Sequence, residues 1–499
     1  MHCMRWRYWA MLLLCTGLAS CKSFLQESPE GTLDPAKFYQ TAAQVAAAVN
    51  GCYDGLGYVY INGIGVSVCP GYALEYITGY SRRPRPSGFE DDQFLHLDKL
   101  DPNNSRLQSW WNATYYPVEN CNSVIEHVLV TNVVDDITKQ RYLGQAYFLR
   151  AWYYFQLVRL FGDVPLKLTS TTDINNTRIY RSPRQAVYEQ IVKDLLAAEQ
   201  CGLPWQDQSG HICLGAVKAL LAKVYLTMAG YPLKLGNPYY QLAYDKAMEV
   251  INSHNFSLFD HYADLRDPAY QNTREHLFML QRQATVAPSY IHEAYLPYPD
   301  QPISIQPAYG GAMAPAQAFY DSYAANDGRK AEQAFFYTRF PRYGNPADTI
   351  VLPAPYIFKY WDADAEKTGR SGENFPLIRY ADVLLTAAEA RSNLDGGVTA
   401  DAAAIDAYYA VRHRAFPAET RPASLTTDQI LKERCWEFCF EFQTWYDMLR
   451  TRRALDVSNG TMTNLVGYKA PNHVRAFDTT DLQFPLPLAE VQKNPDLAL

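Results

Sequence analysis

Five carboxylates, Asp382, Glu389, Glu433, Glu437 and Asp447, and four arginines, Arg150, Arg379, Arg434 and Arg450, lie on or beside segments of helical period. Two carboxyl groups about 5 to 9.5 Å apart across a sugar ring would be the machinery of glycoside hydrolysis. The same residues on amphipathic helices also bridge neighbouring helices through charge-assisted hydrogen bonds, and that structural reading is preferred. No nucleophile elbow, P-loop, HExxH or zinc-finger spacing occurs. His254 and His261 flank FSLFD, and two lone histidines do not make a metal site. Cys435 and Cys439 stand one helical turn apart without further ligands nearby, so they read as small buried hydrophobes. The expectation is a protein with no catalytic residue, no cofactor and no metal.

The elements that carry these residues follow a leader. Arg5 and Arg7 form a basic n-region, and Trp9 to Leu14 an apolar stretch too short to span a bilayer. Leu18-Ala19-Ser20-Cys21 then reads as a lipobox, with Cys21 the lipidated residue after cleavage. The expected organisation is a signal peptide at 1–20, a lipidated tether at 21–35 and a single domain over 36–499. Without Arg5 and Arg7, 43 basic residues face 52 acidic ones, which disfavours nucleic acid as a partner. A hydrophobic content of 48% argues for a large core. The 38 tyrosines can pack through their faces and hydrogen-bond at their tips. Of the ten cysteines, seven remain once Cys3, Cys15 and Cys21 are set aside, irregularly spaced and without a legible disulfide framework.

Helical period dominates three regions, about 36–56, 110–252 and 379–450. Leu143 to Phe161 carries a stripe at Ala146, Leu149, Tyr153, Leu157 and Leu160, stopped by Gly162-Asp163-Val164-Pro165. Further helices are expected from Ser182 to Glu199, Gly215 to Met228 and Tyr244 to Asn252. In the last two, small residues such as Ala216, Ala219, Ala222 and Ala247 permit the close nesting of tetratricopeptide-like hairpins. Arg379 to Asn393 and Ala402 to Arg414 follow, and Asp428 to Arg450 is the most periodic segment, with Leu431, Cys435, Phe438, Phe442, Trp445 and Leu449 on one stripe. Two regions, about 57–109 and 255–376, lack that period and read as loop-rich insertions with a few short strands. The fold class is therefore mainly α, a frame of helical hairpins bearing long insertions where binding residues are expected.

Several blocks together resemble the SusD/RagB family of nutrient-binding lipoproteins. They are NGCYDGL at Asn50–Leu56, GQAYFLRAWYYFQLVRLFGDVPL at Gly144–Leu166, RYADVLLTAAEA at Arg379–Ala390, ERCWEFCFEFQTWYDMLR at Glu433–Arg450 and FPLPLAEVQKNPDL at Phe484–Leu497. They occur in the family's order and span nearly the whole chain. Phe442, Gln443 and Thr444 stand where a glycine and an arginine are common, and the end lacks the frequent QNPGY.

The resemblance implies an all-helical TPR-like frame, lipid-anchored at the outer membrane and exposed at the cell surface. It implies capture of an oligosaccharide for a SusC-like TonB-dependent transporter, without catalysis. In RagB-type members the ligand is peptide, which is the alternative; a divergent surface glycoside hydrolase is a third reading. The family's ligand face draws on the two insertions. Here these offer Tyr72, Glu75, Tyr76 and Tyr80 to Phe89, and Tyr290, Tyr295, Tyr298 and Tyr309 with Trp361. Aromatic faces suit the C–H surface of a sugar, and rigid rings bind at low entropy cost. The expected ligand residues are Tyr80, Arg82, Tyr298 and Trp361. Arg82, Arg83 and Arg85 could instead face the transporter or an acidic polysaccharide, or simply be solvated.

Overall fold

The computed structural model describes residues 38–60, 69–86, 89–173, 178–298, 302–305 and 310–498. The leader, Cys21 and Tyr309 lie outside them. Helices α1 (Ala42–Gly51) and α2 (Asp54–Tyr60) lead to a row of longer ones. These are α3 (Ser105–Val130), α4 (Asp136–Phe161), α5 (Arg184–Glu199), α6 (Leu214–Ala229) and α7 (Asn237–Asn252). After the second insertion come α8 (Tyr380–Leu394), α9 (Ala402–Ala415), α10 (Thr427–Glu437) and α11 (Thr444–Thr451). Each helix from α3 to α8 packs on the next, so α7 joins the early hairpins to α8 across the insertion. No described helix is long and apolar enough to cross a membrane.

The predicted stripe on α4 is buried at every position, Ala146, Leu149, Tyr153, Leu157 and Leu160. Phe148 and nearly all of its second half are buried too, including Ala151, Tyr154 and Phe155. A helix apolar on all sides must be wrapped on all sides, and α4 is the central post of the frame. Arg150 on α4 donates to Asp194 on α5 at 2.8 and 2.7 Å and to Asn122 on α3 at 2.9 Å, pinning three helices at one buried point. The alanines of α6 and α7 are buried as the nesting argument requires. The seven described cysteines are buried free thiols.

The insertions hold more regular structure than their sequences suggest. The first contains short helices at Tyr72–Tyr76 and Phe89–Leu95 and the strand β1 (Ser81–Arg82). The second contributes β2 (His276–Leu280), β3 (Ala314–Pro315), the hairpin β4 (Phe336–Arg342) and β5 (Asn345–Ile357), and β6 (Phe375–Arg379). Strand β1 pairs antiparallel with β3, and β2 with β6, so each insertion is tied across long sequence distances. Around the β4–β5 hairpin a second apolar cluster forms, including Tyr337, Phe340, Phe358 and Trp361.

The segment 428–450 is not one helix. It breaks between α10 and α11, where Phe440 and Phe442 take positive φ of 62° and 60°. Side chains from elsewhere hold the break open: Lys359 Nζ donates to the Glu437 carbonyl at 2.9 Å, Tyr360 donates to the Phe440 carbonyl at 2.9 Å, and Phe442 N–H donates to Glu75 at 2.6 Å. Glycine tolerates positive φ at little cost, whereas here two phenylalanines carry it, both with buried rings.

The charged residues of this region form a buried network. Glu437 accepts from Arg379 at 3.0 Å, Arg414 at 2.8 Å and Arg329 at 3.3 Å. Glu275 accepts from Arg379 at 2.5 Å and Arg414 at 2.6 Å, and Glu441 from Arg379 at 2.6 Å and Lys359 at 2.5 Å. Glu433 accepts from Arg329 at 2.7 Å and Arg412 at 3.0 Å. A second group links Arg434 to Asp382 at 2.8 Å and Asp447 at 2.9 Å, and Arg450 to Glu389 and Asp447.

Two predictions follow from burial without water. Glu437→Gln leaves three arginines short of a shared carboxylate and should cost about 3–5 kcal/mol, read by urea denaturation. Cationic neighbours hold Glu275, Glu437, Asp382 and Asp447 below the ordinary carboxylate range despite the opposing effect of burial. Their stabilisation is present above the unfolded values near pH 4 and is lost as pH falls through the folded ones. Glu75 runs the other way: burial pushes it to about 8, against the Phe442 hydrogen bond and the Lys359 charge. Glu75→Gln should therefore gain stability relative to the parent as pH rises from about 5 to 8, seen as a melting-temperature difference that widens with pH.

Candidate functional site

A cleft of about 600 Å³ opens where the end of α1 and the first turns of α2 meet the loop before α6 and the end of β2. Its residues include Asn50, Tyr53, Asp54, Tyr58, His211, Gln281, Arg282 and Tyr290. That volume is within the range of about 300–1,000 Å³ usual for small-molecule sites. Leu56, Met279 and Leu280 form an apolar floor, and exposed Tyr58 and Val286 stand at the rim.

The walls are fixed by hydrogen bonds from behind. Tyr53 donates to Gln145 at 2.7 Å and accepts from Ile212 N–H at 3.1 Å, joining the α1–α2 turn to α4 and to the loop before α6. Its ring meets His211 edge-on at 5.8 Å. His211 Nδ1 lies 2.7 Å from Ser209 Oγ, and its Nε2 3.4 Å from Asn50 Oδ1. Gln281 is locked through Asn272 and Asn374, at 2.9 and 2.8 Å. It sits against Gly210, whose φ of +86° and absent side chain are both needed, since a Cβ there would lie 2.2 Å from the Gln281 amide carbon. Arg282 passes over Gly57, where a Cβ would come within 3.1 Å of the guanidinium. Burial lowers the Arg282 pKa, with Cys69, Asp54 and Tyr290 acting against that. The cleft thus offers aromatic rings, neutral donors and acceptors, and one charge of each sign. Asp54 is the one carboxylate among its described lining residues.

Two of the expected ligand residues belong to the core instead. Tyr80 is 3% exposed; its ring stacks on Phe319 at 5.0 Å, and its hydroxyl donates to the Leu455 carbonyl at 2.9 Å and accepts from Leu455 N–H at 2.7 Å. Trp361 is 8% exposed, stacked on Phe358 at 5.2 Å within the second apolar cluster. Neither has a free face for a ligand. Arg82 and Tyr298 do not touch each other but both contact Tyr356, and neither lines the cleft. The Arg82 guanidinium lies 4.9 Å over the Tyr356 ring and donates to the Pro355 carbonyl at 3.1 Å, and the Tyr356 hydroxyl donates to the Tyr298 carbonyl at 3.2 Å. Arg83 pairs with Asp91 at 2.6 Å and Arg85 covers Tyr298 at 5.4 Å, so each member of the basic run packs on the protein.

A solved structure of a SusD superfamily protein from Parabacteroides distasonis superposes with a TM-score of 0.85 at 31% identity, covering 91% of this chain and 98% of that one. The chain belongs to the SusD superfamily. Two family profiles match this SusD-type chain, one described as "SusD family" over residues 353–498 and one as "Starch-binding associating with outer membrane" over 87–226. SusD-like protein P2 of Formosa agariphila is 28% identical over 97% of both chains. Surface glycan-binding protein A from Bacteroides thetaiotaomicron, solved in complex with laminarihexaose, shares the fold at 19% identity and a TM-score of 0.73, covering 91% of this chain and 98% of that one.

The SusD-type mainly-α frame was thus readable beforehand, whereas the cleft residues were mostly not. Tyr290 lay within a flagged tyrosine-rich stretch. Tyr58, His211 and Arg282 carried no motif; the nearest signal was the turn-forming cluster from Pro204 to Gly210, which marks a surface loop between two helices. Tyr53→Phe tests the geometry: removing the hydroxyl strands Ile212 N–H and should cost about 1–3 kcal/mol, measured by denaturation, with no change of fold by circular dichroism.

Proposed function

We propose that this protein is a lipid-anchored, surface-exposed outer-membrane binder that captures an oligosaccharide in the α1–α2 cleft and passes it to a SusC-like TonB-dependent transporter. The observation that carries the proposal is the cleft itself: tyrosine rings beside fixed polar groups, on a rigid helical frame. Tyr58 and Tyr290 supply faces for the C–H surface of a sugar. Asn50, His211, Gln281, Arg282 and Asp54 supply hydroxyl partners around them. Hydrogen bonds behind the wall hold most of these groups before ligand arrives, so little ordering entropy is lost on binding. Catalysis forms no part of the proposal. Hydrolysis of a glycosidic bond ordinarily takes two carboxyl groups flanking it, and the described lining supplies Asp54 alone. The carboxylates first suspected of acid–base chemistry are committed to arginines in the core. Membrane attachment is assigned to Cys21, on the lipobox pattern alone.

Calorimetric titration of the purified protein with plant, host and microbial glycans and with a peptide mixture tests this, with reducing ends assayed in the same samples. The expected result is saturable glycan binding without product release. Tyr58→Ala and Tyr290→Ala should each weaken it about tenfold, or about 1.4 kcal/mol, whereas Trp361→Ala should lower stability first. Product release would overturn the binding-only role. Binding of peptides alone would move the protein to the RagB-like reading, and binding unchanged by both tyrosine variants would remove the cleft as its site.

A further inference from the structure

A second, smaller cleft, sharing no residue with the first, lies among α4, α5, α6 and α11. Four arginines line it, Arg159, Arg184, Arg450 and Arg452, and no acid does among its described lining residues. The whole chain carries a net charge of −7, so this is a strong local reversal. The arginines differ in what neutralises them. Arg450 is paired with Glu389 and Asp447, and Arg184 with Asp163 at 3.1 Å. Arg159 is held between the rings of Phe155 and Tyr446, at 3.8 and 3.4 Å, and among the described residues donates to the Phe155 carbonyl and to Gln156, both at 2.9 Å. Arg452 lies 4.9 Å over Tyr231, and its buried Nη1 has no hydrogen-bond partner. The Tyr188 hydroxyl, on a residue 1% exposed, has none either.

Unmet buried donors are costly, and a buried cation without a counter-charge more so. Burial depresses the pKa of both Arg159 and half-buried Arg452, outweighing Tyr446, Tyr60, Tyr188 and Asp447 at Arg159 and Tyr231 at Arg452. Guanidinium forks and a phenol at one cleft are the complement of an oxyanion. The room is about 30 Å³, enough for a small group but not for a sugar ring. We propose that this cleft binds one small oxyanion, held by Arg452, Arg159 and the Tyr188 hydroxyl. The group could be a free inorganic ion or a carboxylate carried on a larger molecule, two sources of the same chemistry.

The test is thermal melting and calorimetry of the protein with sodium sulfate and, separately, sodium acetate, each against sodium chloride at matched ionic strength. Saturable stabilisation by sulfate, beyond chloride, is expected if the ion itself is the ligand. A response to acetate alone assigns the site to a carried carboxylate. In either case Arg452→Gln and Tyr188→Phe should each weaken the effect about tenfold. Arg452→Gln should melt no lower than the parent in chloride, because it removes an uncompensated cation. Equal responses from parent and both variants, or no response beyond chloride to either anion, would overturn the proposal.

Discussion

The carboxylate of Glu437 is the point on which the frame depends. Three guanidinium groups converge on it, from Arg379 before α8, Arg414 at the end of α9 and Arg329 in the second insertion. Each element is thus tied to the end of α10 in a place where water does not compete. Such a network gives little net stability compared with an apolar core, but it is exacting: one missing partner leaves a charge buried alone. It therefore fixes how the insertion sits on the helices rather than whether the helices form. The adjoining helix break follows from the same constraint. Lys359 and Arg379 both draw on Glu441 and on the Glu437 carbonyl, which the chain can present only by leaving the helix after Glu437.

From that anchor the path to the cleft is short. Arg379 ends β6, β6 pairs with β2, and β2 delivers Gln281 and Arg282 to the cleft wall. The opposite wall, the α1–α2 turn and the start of α2, is held to α4 through Tyr53 and Gln145. A ligand site between two walls, each braced by part-buried hydrogen bonds, is preorganised in the sense that favours binding over induced closure.

What the sequence revealed divides along the same line. Local patterns were legible wherever burial is periodic, as on α4, where GQAYFLRAWYYF carries its own evidence of a core helix. The stripe from Leu431 to Leu449 was equally regular, yet the helix breaks. The forces that break it come from Glu75, Lys359 and Tyr360, far away in sequence, and no window of helical period contains them. Tyr80 and Trp361 lie in the core for a related reason. A tyrosine that stacks on a sugar and a tyrosine that packs in a core have the same composition signal. For Tyr80 the deciding partner is the backbone of Leu455, and for Trp361 it is a β-hairpin cluster that the sequence did not announce.

The proposed ligand site is the α1–α2 cleft and not the Arg82–Tyr298–Tyr356 surface. Hydrogen–deuterium exchange, with and without a saturating oligosaccharide, tests that claim most directly. The account predicts slowed exchange in residues 50–58, 209–211 and 281–290, with 81–85 and 356–361 unchanged. Protection confined to 81–85, 298 and 356–361 would contradict it and return the site to the surface where Arg82 meets Tyr356.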